Sequence, residues 1–278
     1  MSLNDPIDPV IDTEADTEAD TVADTEAAPA PVLAPEPMTQ AIGGLPWRFS
    51  CFITGTDTEI GKTLVSSAML HKLVEGGVRA CGMKPVAAGA EMRDGELHND
   101  DADQLIAAGN VHLPRNLTTP YMLRAAAAPH IAAALDGVTI EAVPILAAYA
   151  EIAAASDAVV VEGVGGFRVP LSSEFDSADL AAQLNLPVVL VVGLRLGCIS
   201  HSLLTVEAIV ARNLVLAGWV ANEIDPDMEY ADENIEALAL RIPAPLLGRV
   251  PFMDQPTAAK AAKFITLAGL PGWPPAHD

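Results

Sequence analysis

Arg48-Phe-Ser-Cys-Phe-Ile-Thr54 runs directly into Gly55-Thr-Asp-Thr-Glu-Ile-Gly61 and then into Lys62-Thr63-Leu64. The first seven residues have the composition of a buried strand. The segment 62–75 has that of a helix, closed by Gly76-Gly77. Between them lies a short turn bounded by two glycines. A strand that feeds such a turn into a helix start leaves unpaired backbone N–H groups converging on one point, which is a ready anion site. Lys62 adds a positive charge suited to β- and γ-phosphates, and the Thr63 hydroxyl is suited to Mg²⁺. The segment resembles a P-loop, with five residues between Gly55 and Gly61 where the common form has four.

Outward from this loop the chain alternates. Strands are expected at 48–54, 79–86, 158–162, 187–193, 216–222 and 244–250. Helices are expected at 62–75, 101–108, 140–155, 176–183, 201–212, 231–241 and 256–268, with Pro144 starting or kinking its helix. The runs Val159-Val160-Val161 and Val188-Val-Leu-Val-Val192 are continuously apolar, which means burial on both faces and fits parallel strands covered by helices. The expected fold class is α/β: a doubly wound, mostly parallel sheet with helices on both faces, of P-loop NTPase type. Ligands in such folds bind at the carboxyl ends of the strands.

Two further strand ends carry charge. Glu162 closes its strand and precedes Gly163-Val164-Gly165-Gly166; a carboxylate there lies beside the phosphate loop. Lys84 closes the second strand before Pro85, where it adds a second cation for an anionic substrate or a developing phosphoryl charge. A second carboxylate for Mg²⁺ comes from Asp100, Asp101 or Asp103. Spacing does not choose among them, and all three would serve equally as helix caps.

Composition bounds the remainder. Of 278 residues, 51% are hydrophobic but only 4% aromatic, so the core is aliphatic. Net charge is −22, and residues 1–47 hold ten acidic residues and no Lys or Arg, which leaves −12 for the rest. An acidic surface argues against nucleic-acid or anionic-membrane partners. Residues 1–46 contain a degenerate four-residue repeat (Asp12-Thr-Glu-Ala-Asp16 onward) and an Ala/Pro run; they are expected to be a disordered acidic tail, with 47–278 as a single domain. Cys51, Cys81 and Cys198 are widely spaced without a CxxC, which fits a reducing compartment. Cys198 reads as packing rather than as a nucleophile. The six histidines lack metal-ligand spacing. The N-terminus lacks the pattern of a secretory signal, and the longest charge-free apolar stretch, 180–194, is too short to span a bilayer. A cytoplasmic protein is expected.

Taken together, Thr54–Thr63, Lys84-Pro-Val86, Val161-Glu-Gly-Val-Gly-Gly166, Leu196-Gly-Cys-Ile199, Gly218-Trp-Val-Ala-Asn222 and Ile242-Pro-Ala-Pro-Leu-Leu-Gly248 resemble dethiobiotin synthetases in order and spacing, over roughly 48–270. The resemblance implies an ATP-dependent ligase of biotin biosynthesis. It would carboxylate 7,8-diaminononanoate with CO₂ or bicarbonate and close the ureido ring through a carbamate and a carbamic–phosphoric anhydride. It implies that Glu59, Ile60, Gly61, Lys62, Thr63 and Leu64 line the triphosphate, with Gly163, Val164 and Gly165 beside it. It implies that Lys62 and Lys84 are the catalytic cations. The resemblance selects Asp101, with Thr63 and Glu162, for Mg²⁺. Asn222 and Glu223, with Pro251, Phe252 and Met253, would frame the adenine. Ala88, Gly197, Cys198, Ile199 and Ser200 would meet the diamine acid, the last four from the other subunit of a homodimer. Ala88, Arg195, Ser200 and Glu223 stand where serine, lysine, asparagine and aspartate are common. The alternative from another class is a regulatory P-loop ATPase of the partition or septum-positioning type. Such proteins carry an extra lysine near the loop's start, where this chain has Thr56, Asp57 and Thr58.

Overall fold

A computed structural model describes residues 48–272; the expected tail at 1–46 lies outside them. In chain order the elements are β1 (Phe49–Gly55), α1 (Lys62–Glu75), β2 (Ala80–Met83), β3 (Val86–Ala88), β4 (Glu91–Arg93), β5 (Glu96–His98), α2 (Asp100–Ala108) and α3 (Arg115–Thr118). Then follow β6 (Tyr121–Leu123), α4 (Pro129–Asp136), α5 (Ala142–Ala155), β7 (Ala158–Glu162), α6 (Ser177–Leu184) and β8 (Val188–Leu194). The last are α7 (Cys198–Val210), β9 (Leu216–Glu223), α8 (Ala231–Ala239), β10 (Leu246–Val250) and α9 (Ala258–Ala262).

Six strands form one parallel sheet in the order β10-β9-β8-β1-β7-β2. The chain moves from β1 outward to β2 and back to β7, then crosses to β8. This reversal places β1 between β7 and β8, and the crevice above it is where such sheets take ligands. The apolar strands are covered on both faces, as their composition requires. Phe49, Cys51, Ile53, Val160, Val189 and Val191 pack with Val65, Ala68 and Met69 of α1 and Ala261 of α9. On the other face Phe52, Val159 and Val161 pack with Ile145, Ile152 and Ala178, and Leu190, Val192 and Trp219 pack with Val206 and Leu238.

Most expected elements form close to their expected bounds, α1 and β7 at both ends. Four differ. The expected strand 79–86 divides: β2 ends at Met83, and β3 leaves the sheet to pair in parallel with β6. Pro85 has no N–H for the ladder, and the Lys84 N–H is drawn to the Thr118 carbonyl at 2.8 Å. Next comes a small hairpin, β4–β5, through Asp94 (φ 51°) and Gly95 (φ 87°). Its signal is the Asp-Gly pair, which suits a two-residue turn with both residues left-handed. Helix α7 starts three residues before the expected 201, with Gly197 as its N-cap. Cys198, Ile199 and Ser200 therefore form its first turn rather than precede it. The closing helix is five residues long rather than the expected 256–268, because the chain turns back so that Ile265 bridges Gly248 and the Thr266 N–H meets the Leu247 carbonyl at 2.7 Å. Pro144 falls in the first turn of α5, so it starts that helix rather than kinking it.

Candidate active site

The phosphate loop sits on the carboxyl end of β1 and opens into α1. Gly61 is the N-cap of α1 with φ +84°, and a Cβ there would lie 2.1 Å from Asn222 Nδ2. Both facts require glycine. The Asn222 amide donates to the Ile60 carbonyl at 2.9 Å, so this side chain braces the loop from the end of β9. The register brings it there: Asn222 is opposite Gly193, and β8 in turn lies beside β1.

Lys62 and Lys84 are both buried, at 6% and 4% exposure. Lys62 Nζ donates to the Asp57 carbonyl at 2.7 Å, curling back over the loop. Burial, with the nearby Lys84 charge, pulls the Lys62 ammonium down to about 8, against the opposing pull of Glu162, Asp101 and Asp57. Ile53 pairs with Glu162, so β7 delivers its terminal carboxylate directly beside β1. Lys84 Nζ donates to Glu162 Oε1 at 2.6 Å, to Asp101 Oδ2 at 3.1 Å and to the Gly163 carbonyl at 3.2 Å. Burial alone would lower Lys84, but the charges and hydrogen bonds of Glu162 and Asp101 hold it above the ordinary lysine value. For Asp101 burial acts upward, and Lys84 and Thr63 outweigh it and hold the carboxyl below its ordinary value.

Thr63 Oγ1 stands 2.8 Å from Asp101 Oδ1 and 2.9 Å from Glu162 Oε1. One hydroxyl proton serves one of these at a time. Three hard oxygens therefore meet at one point, and Glu162 Oε2 is buried without a hydrogen-bond partner among the described residues. Oxygen donors of this kind fit Mg²⁺, which takes few protein ligands and completes its shell with water and phosphate.

The acidic trio separates into three tasks. Asn99, not an aspartate, caps α2 through its side chain and also donates to the Ala88 carbonyl at 3.1 Å. Asp101 reaches the loop. Asp100 pairs with Arg93 at 2.8 Å, and Asp103 pairs with Arg115 at 2.6 Å and His98 Nδ1 at 2.8 Å. These pairs strap the β4–β5 hairpin and α3 onto the helix that carries Asp101. Asn99, Arg115 and the hairpin were not singled out from the sequence; the Asn-Asp-Asp cap pattern at 99–101 was the available signal.

On the other side of the loop, Arg195 pairs with Asp57, linking the β8–α7 turn to the phosphate loop. An open cleft of about 350 Å³ lies here, lined by Thr56, Asp57, Gly166, Phe167, Arg168 and His201, with Leu204, Thr205 and Ala208 of α7. Among the four α7 candidates, the Cys198 N–H is already given to the Arg195 carbonyl at 3.0 Å. Burial pushes the Cys198 thiol up, only partly offset by neighbouring backbone N–H groups, which suits packing and not nucleophilic chemistry. Glu223 is engaged by Arg249 and accepts the Phe252 N–H at 3.4 Å, and Arg249 also pairs with Asp232. This network, also unanticipated, holds the segment Pro251, Phe252 and Met253. Among the described residues, no cluster of three His, Cys, Asp or Glu side chains is placed to hold a metal ion, and no helix is long and apolar enough to cross a membrane.

Residues 50–260 match a family described as an AAA domain. The chain is similar to solved structures of MinD, a cell division protein of Aquifex aeolicus (12% identity over 77% of this chain and 93% of that one, TM-score 0.49). It is also similar to the signal recognition particle receptor FtsY of Elizabethkingia anophelis (12% identity over 86% and 66%, TM-score 0.45). It is 56% identical over 232 residues to the ATP-dependent dethiobiotin synthetase BioD of Janthinobacterium sp. (strain Marseille), covering 82% of this chain and 98% of that protein. At that identity, carried across nearly the whole of the relative, the chain belongs to the dethiobiotin synthetase family.

Proposed function

We propose that this chain converts 7,8-diaminononanoate, CO₂ and ATP into dethiobiotin, ADP and phosphate. The observation that carries the reading is the meeting of Lys62, Thr63, Lys84, Asp101 and Glu162 around one phosphate loop in a member of this family.

The chemistry has three steps. One amine of the substrate attacks CO₂, loses a proton and becomes a carbamate. A carbamate oxygen attacks the γ-phosphorus and ADP leaves, giving a carbamic–phosphoric anhydride. The second amine attacks the carbonyl carbon and gives up a proton, the bond from that carbon to the bridging oxygen breaks, and phosphate departs with that oxygen as the ring closes. Little of this is covalent work for the protein, so positioning and charge stabilisation carry the rate.

Residues 59–64 place their backbone around the phosphates, and Lys62 supplies positive charge to the phosphoryl group in transfer. Mg²⁺, when held by Thr63, Asp101 and Glu162, supplies further positive charge to the phosphate oxygens. Lys84 holds the carbamate anion against the phosphorus. Asn222, Glu223 and the segment Pro251, Phe252 and Met253, braced by Arg249, receive the adenine. Ala88 borders the diamine, on the strand tied to α2 through Asn99.

The active form in this reading is a homodimer, with Gly197, Cys198, Ile199 and Ser200 of one subunit meeting the distal carboxylate of substrate held by the other. Supporting it are the exposed apolar side chains beside this turn: Leu196 is 94% exposed and Leu204 61%. Three free, buried thiols fit the cytoplasm.

The test is phosphate release from ATP with Mg²⁺ and bicarbonate, with and without 7,8-diaminononanoate, alongside mass detection of dethiobiotin. The expected result is release that depends on the diamine and matches product one for one. Diamine-independent ATP turnover without product overturns the reading.

A further inference from the structure

Lys84 and the two carboxylates form a closed set. Its ammonium spends all three N–H groups, on Glu162 Oε1, Asp101 Oδ2 and the Gly163 carbonyl. Glu162 Oε1 is also the oxygen that faces Thr63 Oγ1. Of the oxygens suited to a divalent cation, Glu162 Oε1 therefore already holds an internal cation, while Asp101 gives Lys84 its Oδ2 and keeps Oδ1 towards Thr63. Lys62 is near enough to feel the charges of Lys84, Glu162 and Asp101. Lys62 and Lys84 stand against Asp101 and Glu162, and Asp57, the third carboxylate near Lys62, is paired with Arg195, so the pocket lacks the net negative charge that draws a free cation.

We propose that Lys84 closes this site to free divalent cations, so that the metal enters only together with the phosphates of a nucleoside triphosphate. The proposal rests on the metal–nucleotide reading given above. A cation arriving alone has to compete with Lys84 for Glu162 Oε1 and to sit beside a buried ammonium with no new negative charge brought in. In a poorly hydrated site that repulsion is weakly screened. A triphosphate changes the balance, because its oxygens bring the negative charge the pocket lacks and offer Lys84 new partners. Metal loading and release of Lys84 towards the reacting anion are then a single event. Metal entry thereby prepares the lysine for its task.

The experiment uses the full chain and Mn²⁺ as probe, with free Mn²⁺ counted by electron paramagnetic resonance. Titrations are run with no nucleotide and with a non-hydrolysable ATP analogue, corrected for Mn²⁺ bound by the analogue in solution. In the unaltered protein, saturable binding is expected only with the analogue. In Lys84→Met, Mn²⁺ alone is expected to bind at least about tenfold more tightly than in the unaltered protein, because two buried carboxylates lose their internal cation. Lys84→Arg retains the charge and is expected to keep free Mn²⁺ out. The proposal is overturned if the unaltered protein binds Mn²⁺ equally well with and without the analogue, a result that needs no variant to fold. It is also overturned if a folded Lys84→Met binds Mn²⁺ alone no better than the unaltered protein. Failure of the unaltered protein to bind the metal–analogue complex at all overturns the nucleotide-site reading itself.

Discussion

The Asn222 side-chain amide donates to the Ile60 carbonyl at 2.9 Å, so the end of β9 braces the phosphate loop one residue before its terminal glycine. The contact spans 162 residues of chain and leaves no room at Gly61 for a side chain. Gly61→Ala is expected to lose ATP binding. The left-handed backbone costs about 1–3 kcal/mol, and the new methyl collides with Asn222. Asn222→Ala is expected to raise KM for ATP more than KM for the diamine. Steady-state kinetics varied in each substrate distinguish the two, and equal effects on both sink the bracing role.

Thr63 contributes one hydroxyl, placed between two carboxylates. Thr63→Val is expected to lower kcat by about a hundredfold or more, and Thr63→Ser to recover most of it. Single-turnover phosphate release checks this. A valine variant with ordinary turnover would remove Thr63 from the metal and phosphate machinery.

Glu162 is wholly buried and faces Lys84. Glu162→Gln leaves a buried ammonium with only the half-exposed Asp101 as its charged partner. Breaking a buried pair in this way costs about 3–5 kcal/mol. Urea denaturation is expected to show a lowered midpoint with an unchanged slope, together with loss of turnover. An unchanged midpoint would show that the pair adds nothing to stability.

Asp103 gives the acid limb of stability. Burial acts upward on its carboxyl, but Arg115 and His98 outweigh it and hold it below 3.8. The folded value is thus lower than the unfolded one. Its contribution is fully present above the unfolded value and is lost as pH falls through the folded value. Thermal melts between pH 5 and pH 2, a range chosen to span roughly that window, are expected to show a smaller acid-induced fall for Asp103→Asn than for the unaltered chain. Parallel curves for the two proteins would count against this assignment.

Cys198 is buried, and its thiol is pushed up. Cys198→Ala removes only the thiol and leaves the backbone of the first turn of α7 in place, so it is expected to keep kcat and to cost about 1 kcal/mol of stability. Loss of turnover in a folded Cys198→Ala protein would contradict a packing role.

Local pattern alone sufficed for α1, β7 and the phosphate loop. Each is encoded by neighbours in the chain: a glycine-bounded turn, a run of valines, a pair of glycines at a helix end. Apolar runs also declared a parallel sheet, because a strand without alternation must be covered on both faces. The resemblance over 48–270 rested on such short segments, and their order was legible without any coordinates.

Pairing across long separations was decided only by the tertiary structure. Asp100, Asp101 and Asp103 are near-equivalent as sequence; which one meets Thr63 depends on how α2 rotates and docks, and Thr63 and Asp101 lie 38 residues apart. The same holds for the early end of β2. Pro85 marks a break in the ladder, but the Thr118 carbonyl that captures the Lys84 N–H comes from the end of α3. Spacing along the chain sets which side chains are available, whereas register and helix docking set which of them share a point in space. The lock between Lys84, Asp101 and Glu162 belongs to the second kind.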